Sequence, residues 1–535
     1  MKDINAIAKT SARGSVILSV GLVVSNLVLA LGVFLIARFL SAAEYGLYSI
    51  VLTVPSVLGF FQDLGVNSAL VKYSAQARAN NETVRLKRIL ATALIFNGAI
   101  GAGLSIVAFL SANFLAGTVL GRPEIEGGIR IASLTIFTSS IISAAQSTFI
   151  GFEKQEFYAL TLIISALLKV STATALILAG FGVNGAIAGY LIASAAVTII
   201  GFTLFLSLYR KVKAETGVVK LQFRDSLAFM LRYGIPLSIS AMLSGLLGQL
   251  YNFLLYRVEL DNAAIGSFQI AGNFLVFLQF LTIPIATTLF PAFSKLDMSN
   301  DQEILRRVFQ SSVKYASFLV LPATFALMVL AYPLVRTLFG NKYSDAPVYL
   351  VMLAMQGLYV GVGNLSITNL LNGQGKTNMT LKLSLLTVTI GIALSLLFIP
   401  ALGIAGLIIT SLTSGLPSLI IGSWWVKKQF TTSVDKSTAG RLYLSSALAG
   451  AATYLILLNL SWLPIWISLA VGGGLFLSLY LIFIGLTHAL DRNDILAFRG
   501  MFKEMGPLTK IIELFLRIIE RLNAATKFKA NPAFK

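Results

Sequence analysis

Lys169 is a charged residue in the middle of a long apolar stretch, with ALL before it and VSTAT after it. A charge at the centre of a membrane-spanning helix costs at least about 2.5–3.5 kcal/mol unless it meets water or a partner. Its ammonium group could form a cationic wall for an anionic substrate. The alternative is internal pairing, with a backbone carbonyl group or with Asp63. The sequence leaves both open.

Asp63 follows Gln62 near the end of another apolar stretch. A carboxylate at that position could bind a proton or Na⁺ and couple its gradient to transport. The alternative is local, because Asp63 could cap the turn at Gly65 or pair with a nearby base. We therefore keep Asp63 as a candidate for ion coupling, beside this structural explanation.

Polar side chains form stripes along single faces of predicted helices, as the rotation of 100° per residue shows. Facing stripes would line an aqueous cavity for a polar substrate. The alternative is hydrogen bonding between helices, which holds a membrane bundle together. The stripes are Ser15, Ser19 and Asn26; Ser238, Gly245, Gln249 and Asn252; and Gln269 and Asn273.

Two arginines, Arg38 and Arg257, follow apolar stretches at corresponding places of an internal repeat. A guanidinium fork suits phosphate oxygens, whereas the alternative is that both side chains reach out to the lipid headgroups. With the residues above they complete a predicted substrate cavity. Its members are Lys169, Arg38, Arg257, Asn26, Gln249, Asn252, Gln269 and Asn273.

The composition excludes several kinds of chemistry. The chain of 535 residues has no cysteine and one histidine, His488, so it cannot form disulfides or a thiol nucleophile, and a histidine-based metal site is not expected. We predict no catalytic residue and no bound metal. The net charge of +19 lies in loops and in the tail, which indicates contact with anionic lipid rather than nucleic acid.

The hydropathy pattern predicts an all-α integral membrane protein, because 56% of the residues are hydrophobic and 12% are charged. Many apolar runs reach the length that crosses a bilayer. We count fourteen predicted transmembrane helices. They are 15–37, 45–66, 89–117, 128–150, 157–179, 183–207, 228–255, 263–290, 313–335, 346–372, 377–399, 404–426, 442–460 and 463–487.

The distribution of basic residues predicts the orientation of these spans. With the N-terminus in the cytoplasm, 34 Lys and Arg residues fall in inside segments and six fall in outside segments. We therefore predict a multi-pass protein of the cell membrane with both termini in the cytoplasm. The outside loops are short, which leaves no room there for a catalytic domain.

An internal repeat relates the two halves of the chain. Residues 150–187 and 372–407 each begin at a small polar turn, continue through an apolar stretch and reach a Gly-x-x-Gly turn. Gly182 and Gly185 in the first copy correspond to Gly403 and Gly406 in the second. Six spans per copy give both the same orientation, so two six-helix lobes related by a parallel pseudo-twofold repeat are predicted.

The predicted organisation therefore has four parts: an N-lobe at 1–215, a C-lobe at 216–430, two extra helices at 431–490 and a basic tail at 491–535. Apolar residues recur with a helical period in the tail after Gly506 and Pro507. Such an amphipathic helix could lie on the membrane surface. It could equally dock on the protein's own cytoplasmic face.

Four segments resemble a known family when taken in order. They are ARFLSAAEYGLY (37–48), PSVLGFFQDLGVNSALVK (55–72), PIATTLFPAFSKL (284–296) and LPATFALMVLAYPLVRTLFGNKYSDA (321–346). Together they resemble the polysaccharide transporters, the Wzx-type oligosaccharide and O-antigen flippases. Their superfamily also contains the multidrug (MATE) exporters and the lipid II flippase.

The resemblance implies a MATE-like fold and a transporter rather than an enzyme. The implied cargo is an oligosaccharide on a polyprenyl (pyro)phosphate, flipped from the cytoplasmic to the outer leaflet by alternating access. Implied partners are this lipid-linked oligosaccharide, anionic membrane lipids, and a polysaccharide polymerase or glycosyltransferases. We expect the energy to come from an H⁺ or Na⁺ gradient or from trapping of the product. Direct use of ATP is not expected, since no GxxxxGK[ST] motif is present.

Other functions stay open at this point. A MATE-type cation exporter would need a carboxylate deep in its cavity, whereas the deep charge here is the cation Lys169. A lipid II flippase would have a more strongly cationic cavity. A membrane-embedded polysaccharide polymerase or ligase would need a larger outer loop or clustered acid and base residues.

Overall fold

The computed structural model describes residues 4–212, 223–296, 301–460, 462–491, 494–496, 499 and 513–521. The regular elements in these ranges are all helices. The chain divides into two compact units, Met1–Gln269 with Ser395–Leu407 and Ile270–Leu394 with Ile408–Lys535. The predicted lobes, 1–215 and 216–430, were defined by the sequence repeat and have other boundaries than these two units, so they stay a prediction.

The first unit consists of long helices that approach each other at small residues. Gly21 and Gly32 of α1 lie so close to Ala159 and Val170 of α6 that an added Cβ would overlap those side chains. The helices are α1 (Ile4–Phe39), α2 (Ala42–Gly59), α3 (Val66–Ala79), α4 (Thr83–Leu110), a π-helix (Phe114–Val119), a 3₁₀ turn (Pro123–Ile125), α5 (Glu126–Gly151), α6 (Gln155–Leu176), a second π-helix (Ile177–Phe181), α7 (Gly182–Lys211), α8 (Phe223–Val258) and α9 (Asn262–Phe274).

The second unit continues with the same helical pattern. Its core includes Leu321, Leu442, Phe476 and Ile484, all nearly inaccessible to solvent. The helices are α10 (Val276–Ser294), α11 (Gln302–Val329), α12 (Ala331–Phe339), α13 (Ala346–Ala354), a 3₁₀ helix (Met355–Val362), α14 (Asn364–Gly373), α15 (Thr377–Thr413), α16 (Leu416–Phe430), α17 (Lys436–Asn459) and α18 (Ile465–Thr487). The middle of α15, residues 395–407, belongs to the first unit.

Helix α2 begins at a capping box encoded by the S-x-x-E spacing of Ser41 and Glu44. The Glu44 N–H donates to Ser41 Oγ over 3.2 Å, and the Ser41 N–H donates to Glu44 Oε2 over 2.8 Å. Two backbone donors that a helix start leaves open are thus satisfied, which fixes where α2 begins.

Every predicted span overlaps helix, but the boundaries differ and several spans contain non-helical residues. Within the described ranges, nine helices or continuous helix pairs are long and apolar enough to cross a membrane, and ten if the pair Ala346–Val362 and Asn364–Gly373, bent by 53°, is one span. The chain is therefore a multi-pass membrane protein, and the count of fourteen stays a prediction. The continuous second span 45–66 is wrong, because α2 ends at Gly59 and α3 begins at Val66.

The Gly-x-x-Gly repeat is confirmed in the backbone conformation. Gly182 has φ 52° and ψ −134°, and Gly403 has φ 56° and ψ −128°, a region that side chains rarely allow. The second glycines, Gly185 and Gly406, lie against the backbone of the preceding helix and leave no room for a Cβ. Both copies therefore make the same tight reversal.

Helices α2 and α9 cross with their backbones in contact at Gly46 and Gly266. A Cβ on Gly46 would overlap the carbonyl oxygen of Asn262 and lie 3.1 Å from the Gly266 nitrogen. A Cβ on Gly266 would overlap the carbonyl oxygen of Ala42 and lie 3.2 Å from the Gly46 nitrogen. Each glycine thus contacts the residue four positions before the other, so the crossing is reciprocal.

Arg122 holds the start of α9 beside this crossing. Its Nε donates to Asn262 Oδ1 over 2.8 Å, and its two terminal nitrogens donate to the backbone carbonyls of Tyr256 and Glu259. The residue is 3% exposed, and this burial lowers the pKa of its guanidinium below the ordinary value. Arg122 therefore joins the loop after α4 to the connection between α8 and α9.

The described part of the tail packs on the second unit. In residues 513–521, Leu516 and Ile519 are buried in the same apolar cluster as Leu490 and Ile495. Arg499 pairs with Glu513 and Glu520 over 3.0 and 2.8 Å. Of the two predicted locations for the amphipathic helix, this segment takes the one on the protein itself.

Candidate functional site

A polar cavity of about 290 Å³ lies at the break between α2 and α3, inside the first unit. Its walls come from the break itself, α3, α5 and α8. Few apolar side chains line it, although the surrounding helices are largely apolar. The lining residues are Gly59, Phe60, Gln62, Asp63, Gly65, Ser68, Ser143, Ser238 and Met242.

The break is set by the sequence Asp63-Leu64-Gly65. Asp63 Oδ1 accepts a hydrogen bond from the Gly65 N–H over 2.9 Å. Leu64 and Gly65 have φ of 45° and 81°, so the chain leaves helical geometry before α3 begins. The explanation of Asp63 as the cap of the Gly65 turn is confirmed. Asp63 also lines the cavity.

Gly65 also contacts the backbone of α8 at Gly234. A Cβ on Gly65 would overlap the Gly234 carbonyl group, and a Cβ on Gly234 would overlap the Gly65 carbonyl group. The Ser238 hydroxyl, one turn further along α8, donates to the Gly234 carbonyl over 3.0 Å and lines the cavity. The polar stripe of α8 therefore begins at the cavity wall.

Hydrogen bonds between side chains continue from the cavity into α4 and α5. The Gln62 amide bonds the Ser139 hydroxyl over 3.0 Å, and Asn67 Nδ2 donates to Ser143 Oγ over 2.9 Å. Asn97 Nδ2 in turn donates to Asn67 Oδ1 over 3.2 Å. The arrangement offers one carboxylate among amides and hydroxyls, which suits water, a proton, a small cation or sugar hydroxyls.

Sequence reasoning did not single out Ser139, Ser143, Asn67 or Asn97. A signal was available, because Ser139 and Ser143 are one helical turn apart in TSSIISAAQS and Asn97 stands alone in an apolar helix. A serine in a membrane helix does not by itself indicate a contact between helices, because its hydroxyl can bond to its own backbone. Ser139 also does so, donating to the Ile136 carbonyl.

Lys169 is held by an aromatic ring rather than by a carboxylate. Its Nζ lies 4.2 Å from the centroid of the Tyr190 ring on α7. Within the described residues no carboxylate oxygen lies within 4.0 Å of this nitrogen, and Asp63 bonds Gly65 instead. The alternative pairing of Lys169 with Asp63 is therefore wrong.

Two predicted cavity residues have well-defined surroundings. Gln269 Nε2 donates to the Tyr256 hydroxyl over 2.7 Å, which links α9 to α8. Gln249 lines a separate, mostly apolar cavity of about 490 Å³ with side chains of α2, α4 and the first π-helix. Its buried Oε1 has no hydrogen-bond partner within the described part of the chain.

The other predicted residues are distributed along three helices. Asn26 is exposed on α1, and Arg38 is exposed near its end. Asn252 and Asn273 are half-buried on α8 and α9. The structure thus brings Asp63 and Ser238 to one cavity and places Gln249 at another. Ser15 and Ser19 lie outside the residues whose side chains are described.

Arg257, exposed near the end of α8, lies beside Gly121. Gly245, a member of the predicted polar stripe of α8, contributes to packing instead. It lies against the Phe60 ring, which a Cβ at this position would overlap. Within the described ranges, no group of three or more His, Cys, Asp or Glu side chains could hold a metal ion.

A family model of polysaccharide biosynthesis proteins matches residues 35–348, more than half of the chain. The chain belongs to this family. The resemblance drawn from the four sequence segments is thereby confirmed. Among its relatives, the lipopolysaccharide biosynthesis protein WzxC of Escherichia coli is 26% identical over 69% of this chain and 70% of its own length.

A second relative is the probable low-salt glycan biosynthesis flippase Agl15 of Haloferax volcanii. It is 20% identical over 45% of this chain and 51% of its own length. Both relatives are far below the identity at which individual site residues could be transferred, so the matches support the family rather than particular side chains.

Two solved structures share the fold of this family member. The lipid II flippase MurJ, in an inward closed conformation, superposes with a TM-score of 0.69 at 16% identity, covering 88% of this chain and 98% of MurJ. An inward-facing multidrug resistance MATE family transporter superposes with a TM-score of 0.61 at 19% identity, covering 77% of this chain and 98% of its own. The MATE-like helical fold is therefore confirmed.

Proposed function

We propose that the protein is a flippase for a polyprenyl-(pyro)phosphate-linked oligosaccharide, which it moves from the cytoplasmic to the outer leaflet for export of surface polysaccharide or glycoconjugate. The observation that carries the proposal is the polar cavity at the α2–α3 break in a polysaccharide biosynthesis family member. A headgroup of sugars and phosphates needs hydrogen-bonding groups inside an otherwise apolar protein. Agl15, named as a probable glycan biosynthesis flippase, and MurJ, named as a lipid II flippase, agree with this cargo class.

The mechanism is alternating access. The headgroup enters from the cytoplasm while the prenyl chain stays in lipid, and it leaves on the outer side after the protein changes conformation. No bond is made or broken, so the protein acts as a transporter and not as an enzyme. Cationic side chains lower the cost of taking phosphate out of water.

Lys169 is the cation that we assign to this role. Its contact with the Tyr190 ring leaves the charge without a neutralising carboxylate among the described residues. An aromatic ring face stabilises an ammonium group while its remaining hydrogens can still bond to an anion. A phosphate-bearing headgroup is therefore favoured over a cationic drug.

Asp63 is the residue that we assign to ion coupling, with H⁺ or Na⁺ as the ion. One carboxylate oxygen caps Gly65, so protonation or cation binding at this group would act directly on the α2–α3 break. Coupling through Asp63 would thereby link an ion gradient to the conformation of the broken span.

The location follows from the same proposal. The protein lies in the cell membrane with both termini in the cytoplasm, where its basic segments contact anionic lipid. A glycosyltransferase supplies the lipid-linked oligosaccharide, and a polysaccharide polymerase consumes it outside.

A reconstituted flipping assay tests the function. Proteoliposomes with a fluorescent polyprenyl pyrophosphate oligosaccharide should show protein-dependent exposure of the cargo to a reductant that cannot cross the membrane. A rate equal to that of protein-free liposomes would contradict the proposal. Protein-dependent efflux of a cationic dye without cargo flipping would identify a MATE-type exporter.

The Lys169→Ala variant tests the assigned cation in the same assay. We expect about a tenfold slower flipping, equivalent to about 1.4 kcal/mol of lost phosphate stabilisation. Lys428→Ala is the matched control, because Lys428 also lies over an aromatic ring, 5.3 Å from the Trp424 centroid, but is exposed. Equal flipping rates in Lys169→Ala and Lys428→Ala would show that Lys169 does not contact the cargo.

A further inference from the structure

The apolar cavity that Gln249 lines takes no part in the proposed flipping mechanism. It has a volume of about 490 Å³ and lies between α2, α4, the first π-helix and α8, inside the first unit. Eleven of its fourteen lining residues are apolar, and the other three are Thr53, Ser111 and Gln249. This size, with an apolar lining and few polar groups, is typical of a site for a small molecule.

Gln249 brings an unused hydrogen-bond acceptor to this cavity. Its Oε1 is fully buried and has no hydrogen-bond partner among the described residues. The two hydroxyl groups differ, because Thr53 donates to the Ser49 carbonyl over 3.2 Å and Ser111 donates to the Val107 carbonyl over 2.6 Å. A buried acceptor without a partner destabilises the protein, so a donor that reaches Oε1 gains more than an ordinary hydrogen bond.

Water and lipid acyl chains each match only part of this cavity. A buried water molecule is held by about two to four polar partners, and mostly apolar cavities stay dry and bind apolar molecules instead. An acyl chain would fill the apolar space, but it has no hydrogen to donate to Oε1. The cavity therefore matches a mostly apolar molecule that carries a hydrogen-bond donor.

The backbone is irregular where α4 gives way to the cavity wall. The Leu120 N–H donates to the Leu115 carbonyl over 2.9 Å, five residues back, where an α-helix would bond four residues back. Leu115, Val119 and Leu120 all line the cavity. Such π-helical turns are rare and frequently occur at functional sites, which agrees with a binding site here.

The apolar cavity and the polar cavity of the candidate site follow each other along α8. Met242 lines the polar cavity, and Leu246, one turn later, lines the apolar one. Gly245 lies against the ring of Phe60, which itself lines the polar cavity. A ligand in the apolar cavity would therefore be a neighbour of the polar cavity without entering it.

We propose that the cavity around Gln249 binds a mostly apolar small molecule with one hydrogen-bond donor, such as a prenyl or fatty alcohol. The chain fills the space between α2, α4 and α8, and the hydroxyl donates to Gln249 Oε1. The polyprenyl chain of the cargo is a poorer match, because it has no donor for this oxygen. The inference does not depend on the flippase function, since it uses only the cavity lining and the buried acceptor.

Photolabelling of the full-length protein in phosphatidylcholine nanodiscs tests the site. The probe is farnesol with a diazirine at the end of its chain, and labels are expected within residues 107–120 or 246–253. Unlabelled farnesol should suppress this labelling at concentrations at least about tenfold lower than farnesyl methyl ether, which has the same chain but no donor.

This comparison also separates the possible occupants in the wild-type protein. Equal suppression by the alcohol and the ether would mean that Oε1 receives no hydrogen bond from the ligand, and it would overturn the proposal. Labelling that neither compound suppresses would show that the acyl chains of the bilayer occupy the cavity. That result, or labelling confined to other segments, would overturn the proposal as well.

The Gln249→Leu variant tests the assigned acceptor. Farnesol and its methyl ether should suppress labelling equally in this variant, because no oxygen is left to accept from the hydroxyl. Gln146→Leu is the matched control, since Gln146 is also half-buried in the first unit, but its amide donates to Thr161 Oγ1 over 3.1 Å. A preference for the alcohol that persists in Gln249→Leu would contradict the proposal.

The Leu250→Trp variant tests the cavity itself, because the larger side chain takes up part of the space. Labelling should fall at least about tenfold. Leu110→Trp is the control, since Leu110 is 77% exposed on α4 and does not line the cavity. Undiminished labelling in Leu250→Trp would overturn the proposal. If this variant is not monodisperse, Gln249→Leu and the wild-type comparison decide.

Discussion

Two glycine pairs bring backbones into contact in the first unit, and their surroundings differ. At the α2–α9 crossing, Gly46 and Gly266 lie within regular helices, with Tyr45 and Ile265 buried beside them. At the second contact, Gly65 lies in a left-handed turn and lines the polar cavity with Ser238. The same closeness of approach thus occurs once in a buried, regular crossing and once beside a cavity.

The difference indicates separate roles for the two contacts. Arg122 adds hydrogen bonds around the α2–α9 crossing, whereas the Gly65–Gly234 contact depends on the turn that Asp63 caps. Arg122 thus fixes the start of α9, where Asn262 meets Gly46, because loss of its bonds would leave buried carbonyls without a charged donor. We therefore expect substitutions at the α2–α9 crossing to destabilise the protein strongly. Substitutions at the Gly65–Gly234 contact should have smaller effects, because the neighbouring cavity leaves room for movement.

The largest effect is expected for Gly46→Val. The added side chain would overlap the Asn262 carbonyl, and no flexible side chain is available to give way. We expect no monodisperse protein by size-exclusion chromatography. Gly98→Val is the control, because Gly98 is also helical but has open space around it, and a normal elution profile is expected. A well-folded Gly46→Val protein would show that the crossing can separate.

The next largest effect is expected for Arg122→Ala. Removing the guanidinium leaves the carbonyls of Tyr256 and Glu259 without their donor, at about 1–3 kcal/mol for each buried group. A thermal melt in detergent should show a clearly lower Tm. Arg130→Ala should change it little, since Arg130 pairs with Glu126 at the surface. Equal Tm shifts in Arg122→Ala and Arg130→Ala would contradict the structural role of Arg122.

An intermediate effect is expected for Gly65→Ala. Its φ of 81° alone costs a side chain about 1–2 kcal/mol. Gly375→Ala isolates this strain, because Gly375 has φ 69° and nothing near its Cβ position. The difference between the two Tm shifts then measures the contact with Gly234. A Gly65→Ala protein that, like Gly46→Val, gives no monodisperse peak would mean that the polar cavity gives no relief.

The smallest effect on stability is expected for Asp63→Asn. Asparagine keeps an oxygen that can accept from the Gly65 N–H, whereas Asp63→Ala loses it at a cost of about 1 kcal/mol. Under the proposed coupling, Asn should slow gradient-driven flipping while its Tm stays within a degree or two of wild type, about 0.5 kcal/mol. Normal gradient-driven flipping in Asp63→Asn would leave Asp63 with its capping role alone.

Local backbone features could be predicted from the sequence because their causes are local. The two Gly-x-x-Gly turns adopt matching conformations at Gly182 and Gly403, as the repeat predicted. The capping explanation of Asp63 needed only the glycine two residues later. The MATE-like helical fold followed from apolar length and from the four family segments.

Contacts between helices could not be predicted in the same way. Tyr190 lies on a different helix from Lys169, and no spacing rule connects them. The end of α2 at Gly59, well before the turn at Gly65, was missed because hydropathy records polarity and not φ. Gln249 shared a helical face with Ser238, yet the two line different cavities, since neighbouring helices change along the length of α8.

The reciprocity of the α2–α9 crossing bears on the internal symmetry of the chain. Gly46 meets Asn262 as Gly266 meets Ala42, with the same spacing of four residues in each direction. Two identical subunits make such an isologous contact across a dyad. The α2–α9 crossing therefore gives a single chain the self-complementary geometry of a twofold interface, centred on Gly46 and Gly266.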